Sequence, residues 1–325
     1  MVFRRPLALF APARAAIAFL ALTLAAACAP VLAPRGIAND TPVIAAQVFV
    51  TRDGLRLPLR EWKAEKPKAV IVALHGMSDY SEAFDMPGPF WAEHGITSYA
   101  YDQRGFGAAP DPGLWAGGDA MRRDLSDFVD VVHTRFPGLP VYALGESMGG
   151  AVLLSSLASK DPPRVAGVIL CAPAVWSRAD MPLSYRVTLW LAAHAVPWLR
   201  VSGEGLKIWP SDNIEMLRKL SRDPLYQHSA RADQIYGLVN LMDAARKAPA
   251  HLLDPPPILF LYGAHDQVIP KEPTEAVIAA LGDRAQATRF PQGYHMLLRD
   301  LDAETVWTDI ASWIGKTARA KQIAN

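Results

Sequence analysis

The chain has 325 residues, 51% of them hydrophobic, with a formal net charge of +1. That length and apolar content suffice for one large core with room for an inserted subdomain, and they exclude a disordered chain. Near-neutral charge leaves no electrostatic footprint for nucleic acid, so none is expected as a partner.

At the N-terminus, Arg4, Arg5 and Arg14 form a basic region. Ala15 to Ala27 is apolar but too short for a comfortable membrane span. It ends in Leu24-Ala-Ala-Ala-Cys28, small residues directly before a cysteine. This pattern predicts a bacterial lipoprotein signal over 1–28, with Cys28 lipidated as the first residue of the mature chain. The expected location is the cell envelope, membrane-anchored and facing the periplasm; ordinary secretion is the alternative. Cys28 and Cys171 are the only cysteines. Lipidation of the first would leave no disulfide. Residues 29–42 are rich in Pro and Ala and read as a tether.

Two strands are predicted over Val43–Thr51 and Leu55–Trp62, joined around Arg52-Asp53-Gly54. Ala69–Leu74 is a continuous apolar run, as in a strand buried on both faces of a parallel sheet. It leads into His75-Gly76-Met77. A helix over Phe84–Glu93, a strand over Ile96–Tyr101 and a helix over Leu125–Arg135 follow. The run Leu139–Leu144 then enters Gly145-Glu146-Ser147-Met148-Gly149-Gly150, and Ala151–Ala158 is helix-forming. Val165–Cys171 is the next strand. After Pro173 the alternation stops, and 174–251 reads as a helical cap without convincing strands. Its helical stretches are Leu183–Leu199 and Ala232–Lys247. Alternation resumes with strand Ile258–Gly263, helix Thr274–Leu281, strand Ala287–Phe290 and helix Thr305–Lys316. The pattern predicts an α/β fold: a doubly wound, mostly parallel sheet from 43–173 and 252–318, with the cap inserted.

Gly145-x-Ser147-x-Gly149 between a strand and a helix is the pattern of a nucleophile elbow. A serine hydroxyl is a weak nucleophile at neutral pH and needs a base, which in turn needs an orienting partner. In this architecture the partners follow in the order Ser, acid, His, on loops after strands. Asp266 follows the strand ending at Gly263, and His295 follows the strand ending at Phe290. The expected roles are Ser147 as nucleophile, His295 as general base and then acid, and Asp266 as the orienting carboxylate. The backbone N–H groups of Met148 and Met77 are the expected oxyanion donors.

These motifs resemble the monoacylglycerol lipase and lysophospholipase branch of the α/β-hydrolases, sometimes grouped with serine aminopeptidases. The resemblance runs from about Gln47 to Lys316. It rests on His75-Gly76 with Ser81, Asp102-x-Arg104-Gly105-x-Gly107, Gly145-x-Ser147-Met148-Gly149-Gly150, Asp223-Pro224-Leu225, Gly263-x-x-Asp266 and Tyr294-His295. It implies hydrolysis of carboxylic esters with a single acyl chain and no cofactor. Two departures stand out: Glu146 where histidine is common, and Gly-Phe-Gly-Ala after Arg104 where Gly-His-Gly-x-Ser is typical.

Asp102 and Arg104 read as a structural pair holding their loop, and Glu146 as a residue packing beneath the sheet end. His75 and His265 lack metal-ligand spacing, so no metal is expected. Leu183–Leu199, with Trp190 and Trp198, reads as a lid over an apolar pocket that could also lie on a bilayer; Arg186, His194 and Pro197 argue against a span. The partners implied are a small acyl ester and a membrane. A small-peptide aminopeptidase or amidase would share the triad, but it would want an acidic patch for a free amine, and this cap reads as mainly apolar and basic. A silent lipid-binding lipoprotein is the remaining alternative.

Overall fold

The computed structural model describes residues 29–203, 205 and 207–324; residues 1–28, with Cys28, lie outside the described residues. In chain order the first elements are strands β1 (Val43–Ala45), β2 (Val48–Val50), β3 (Arg56–Trp62) and β4 (Ala69–Leu74), helix α1 (Pro87–Glu93), strand β5 (Ile96–Tyr101) and helix α2 (Gly118–Arg135). Strand β6 (Val141–Glu146), helix α3 (Met148–Leu157) and strand β7 (Gly167–Cys171) follow. The cap holds helix α4 (Leu183–Ala195), strand β8 (Arg200–Val201), helix α5 (Ile214–Leu220), strand β9 (Ala230–Arg231) and helix α6 (Ala232–Lys247). Strand β10 (Ile258–Gly263), helix α7 (Lys271–Leu281), strand β11 (Ala285–Phe290) and helix α8 (Ala303–Ala324) complete the chain.

Nine strands form one sheet in the order β1-β2-β3-β5-β4-β6-β7-β10-β11. It is antiparallel from β1 to β5 and parallel from there to β11. Alternate residues of a strand face opposite sides. Thus Val70, Val72 and Leu74 of β4 pack with Leu125, Phe128 and Leu153 of α2 and α3, while Ile71 and Ala73 pack with Trp91, Ile310 and Trp313 of α1 and α8. Covering both faces explains why the parallel strands read as unbroken apolar runs.

Several elements differ from the sequence reading. Ala46, at φ +54°, turns the chain and splits the first predicted strand into β1 and β2. Helix α2 starts at Gly118 rather than Leu125 because its first turns carry Asp119, Arg122, Arg123 and Asp124, which mask the apolar period. Asp124 is nonetheless buried, held by Arg104. Helix α5, which the sequence reading did not anticipate, is only seven residues long and half-buries Met216, Leu217 and Leu220 without fully burying any residue; Asn213 caps it by accepting from the Met216 N–H at 3.1 Å. The cap also carries a two-residue antiparallel pair, β8 with β9. Residues 29–42, which read as a tether, lie along the core. Leu32 bridges Trp115, the Ala33 N–H donates to the Trp115 carbonyl at 2.9 Å, and Arg35 reaches the Ala116 carbonyl at 2.9 Å.

Candidate active site

Parallel strands end at one edge of the sheet, and the loops there converge. Ser147 follows β6, Asp266 follows β10, and His295 follows β11. All three therefore lie at the same edge.

Ser147 sits at φ +51°, ψ −113°, a strained conformation for a residue with a Cβ. Its surroundings hold it there. The Ser147 N–H donates to the Cys171 carbonyl at 3.0 Å, and its carbonyl accepts from Ala151 and Ala174 at 3.1 and 2.8 Å. The flanking glycines are obligatory. A Cβ at Gly145 would lie 2.4 Å from the Gly149 carbonyl oxygen, and one at Gly149 would lie 2.2 Å from the Leu74 carbonyl oxygen. The elbow is thus wedged between β4 and its own helix.

His295 is buried, and its Nδ1 lies 2.8 Å from Asp266 Oδ2. Asp266 Oδ1 accepts from the Val268 and Ile269 N–H groups at 2.8 and 2.9 Å, so the carboxylate is fixed by its own loop. That bond places the proton on Nδ1 and leaves Nε2 as the basic atom. Burial opposes protonation of His295, but the charge and hydrogen bond of Asp266 outweigh it and raise its pKa above the ordinary imidazole value.

The loop after β4 lies against the elbow: a Cβ on Gly76 would be 3.2 Å from Ser147 Cβ. His75 is fully buried. Its Nε2 accepts from the Gln103 N–H at 2.8 Å, so Nδ1 carries the proton and donates to the Gly76 carbonyl at 2.8 Å. Burial lowers its pKa and keeps it neutral. Since a trans peptide sets C=O and N–H on opposite sides, this bond also fixes the direction of the Met77 N–H. Met148 is the first residue of α3, where an N–H has no partner within the helix.

Asp102 and Arg104 do not pair with each other. Asp102 accepts from the Ser81 and Ala108 N–H groups, each at 2.9 Å, while Arg104 bridges Asp53 and Asp124. Both hold loops, as expected, through partners that only the fold brings close. Glu146, read as packing beneath the sheet end, is buried beside Arg299, which also binds Asp79. Arg299 and Asp79 escaped the sequence reading. The available signal was an arginine close after His295 and an acidic residue close after Gly76.

The cap grips both loops. The Gln227 N–H donates to the Ser78 carbonyl at 2.8 Å, and the Tyr80 hydroxyl reaches Asp223 at 2.7 Å. Ser211 donates to Asp300 at 2.6 Å, and the Met296 N–H donates to the Pro210 carbonyl at 2.8 Å. Burial pushes the Asp300 carboxyl up to about 6. A cavity of about 480 Å³ between α5 and the core is lined by Asp79, Glu82, Asp85, Glu215 and Asp223, together with Lys219 and Arg299. Asp79, Glu82 and Asp85 come from the core loop after β4, and the cap adds Glu215 and Asp223, so the fold gathers carboxylates that the sequence scatters. Among the described residues no group of three His, Cys, Asp or Glu side chains could hold a metal ion.

A mostly parallel sheet with a strained serine elbow and an Asp–His pair at the same edge defines an α/β-hydrolase. The family model described as serine aminopeptidase, S33 matches residues 65–302, and the chain belongs to that family. Human monoglyceride lipase is 26% identical over 300 residues, covering 88% of this chain and 96% of the relative. Monoacylglycerol lipase of Mycolicibacterium smegmatis is 24% identical, covering 82% of this chain and 95% of the relative. Among solved structures, a soluble variant of monoglyceride lipase from Saccharomyces cerevisiae superposes with a TM-score of 0.72 at 19% identity, covering 88% of this chain and 99% of that one.

Proposed function

We propose that this protein hydrolyses carboxylic esters of single acyl chains, such as monoacylglycerols or lysophospholipids, through an acyl-enzyme. The observation that carries this reading is the His295–Asp266 bond at 2.8 Å at the sheet edge that also bears the strained Ser147. Ser147 Oγ attacks the ester carbonyl carbon while His295 Nε2 takes its proton. The Met77 and Met148 N–H groups receive the developing oxyanion. His295 then gives the proton to the leaving alcohol. Water, activated by His295, adds to the acyl-enzyme and releases the fatty acid and free Ser147. The names of the relatives support this substrate class. Ser147→Ala and wild type should be compared on monoacylglycerol, soluble p-nitrophenyl esters and aminoacyl amides. Equal ester rates in both forms would falsify the serine-hydrolase reading.

The S33 relationship and the carboxylate-lined cavity favour a second reading, release of residues with a free amino group. Against it, most of those carboxylates already have partners. Glu82 binds Lys219, Asp79 binds Arg299, Asp85 binds Arg60, and Asp223 accepts from Tyr80. Cleavage of the amides with none of the esters would establish it over the first.

We further propose that the protein works at a membrane. Helix α4 buries only Ala193. Leu183, Tyr185, Trp190, Leu191, Trp198 and Leu199 around it are 46–68% exposed. A row of aromatic and aliphatic side chains facing water suits the headgroup boundary of a bilayer. Among the described residues no helix is long and apolar enough to cross a membrane. A lipid on Cys28 would supply the anchor and a periplasmic address. Mass spectrometry of the mature N-terminus tests this: an unmodified Cys28 in the isolated protein removes the lipoprotein assignment.

A further inference from the structure

Glu146 and Arg299 stand outside the Ser147, His295 and Asp266 arrangement, yet both are buried, 2% and 5% exposed, in the segments that carry Ser147 and His295. Burying charged groups is costly unless they pair with one another. Arg299 Nη2 donates to Glu146 Oε2 at 3.3 Å and also to Asp79 Oδ2. Each partner comes from a different piece of the site. Glu146 ends β6 and directly precedes Ser147. Asp79 lies in the loop that carries Met77. Arg299 lies in the loop that carries His295. One guanidinium therefore joins all three segments. It faces two carboxylates, so the cluster carries an excess negative charge when all are ionised. The pairing is also incomplete, since Glu146 Oε1 and Arg299 Nε are buried without partners among the described residues.

We propose that Glu146 is a positioning residue whose carboxylate, anchored by Arg299, supports the positive charge that His295 gains on accepting the Ser147 proton. The inference rests on the hydrolase reading above. The imidazolium would form in direct contact with Asp266 at Nδ1, and Glu146, tied by Arg299 to the His295 loop, would act on it through space. The charges that act on His295 are Asp266 from the β10 loop, Glu146 from β6 and Arg299 from its own loop. Burial raises the Glu146 pKa; the charges of Arg299 and His295 oppose that rise and favour the carboxylate, while Asp79 and Asp300 add to it. The Cys171 thiol on β7 and the Tyr226 phenol from the cap border the cluster; burial raises both and keeps them neutral. Glu146 and Arg299 act on His295 with opposite signs, the carboxylate favouring the imidazolium and the guanidinium opposing it.

That opposition makes the test directional. Glu146→Gln keeps the shape and removes the charge, so His295 should lose its proton more readily. On a soluble p-nitrophenyl ester, the acidic limb of kcat/KM should move down by roughly 0.5–1 pH unit, with kcat reduced roughly 3–10-fold and KM little changed. Glu146→Asp should restore the limb. Arg299→Gln should move it upward, and it serves as the deciding variant if Glu146→Gln does not fold. A limb that stays at the wild-type pH in the folded variant overturns the proposal, even if activity falls, because lost packing alone would not move it. Ser147→Ala, run beside them, separates the two readings: if it stays active, the hydrolase reading fails whatever Glu146 does.

Discussion

The helix Leu183–Ala195 and the segment 210–227 belong to one insertion, yet they are physically opposite. The helix buries only Ala193, packs Leu189 half-buried against the core, and turns Trp190 and Leu191 to solvent. The later segment is more polar, and its first residues, 210–213, turn to the core with Ser211 buried. Four of its residues bond to the loop that carries His295: Pro210 accepts from Met296 at 2.8 Å, Ser211 donates to Asp300 at 2.6 Å, Asp212 accepts from Leu301 at 2.9 Å, and Asn213 donates to the Arg299 carbonyl at 3.0 Å. A cap is therefore not one functional object. One half has the chemistry of an interface, and the other half is part of the frame that fixes the site.

Three changes would break or sharpen that contrast. Asp266→Asn sets the upper limit of what loss of framing can do. The amide cannot hold the same His295 tautomer, so kcat on a soluble ester should fall by roughly 10⁴-fold with unchanged far-UV circular dichroism. Asp300→Asn, at the clamp, should act through the His295 loop. We expect roughly ten-fold lower kcat and a loss of about 1–3 kcal/mol in denaturant unfolding, because the Ser211 and Tyr294 bonds both end on this carboxylate. Wild-type kcat in that variant would show that the inward half of the cap does not frame the site. The smallest effect belongs to the outer half. Trp190→Ser with Trp198→Ser should change soluble-ester turnover by less than about two-fold and leave the melting temperature near wild type, since both side chains are exposed. The same variant should bind phospholipid vesicles several-fold more weakly in co-sedimentation. Equal loss on soluble and vesicle-borne esters would contradict the division.

Ser147, Asp266 and His295 were legible because each belongs to a short local pattern at the end of an apolar run. The central strands were legible because burial on both faces leaves no polar position to blur them. Helix α5 was not, because seven residues, with Met216, Leu217 and Leu220 on one half-buried face, are too few to establish a period. The first turns of α2 were hidden for a related reason: Asp124 is polar in sequence but buried by pairing with Arg104, which is distant along the chain. The cavity acids illustrate the same limit. Asp79 and Glu215 lie far apart along the chain, and only the docking of the cap sets them around one space.

The residues alone determined the alternation of strands and helices, the elbow, and the order Ser, Asp, His, since each depends on neighbours within a few positions. Tertiary structure decided the rest: the grip of the cap on the His295 loop, the partners of Arg104, and the union of Glu146, Asp79 and Arg299. Charges of opposite sign carry no local signature of their partner. Which carboxylate a buried arginine meets is settled only when the strands align and burial forces the pair together.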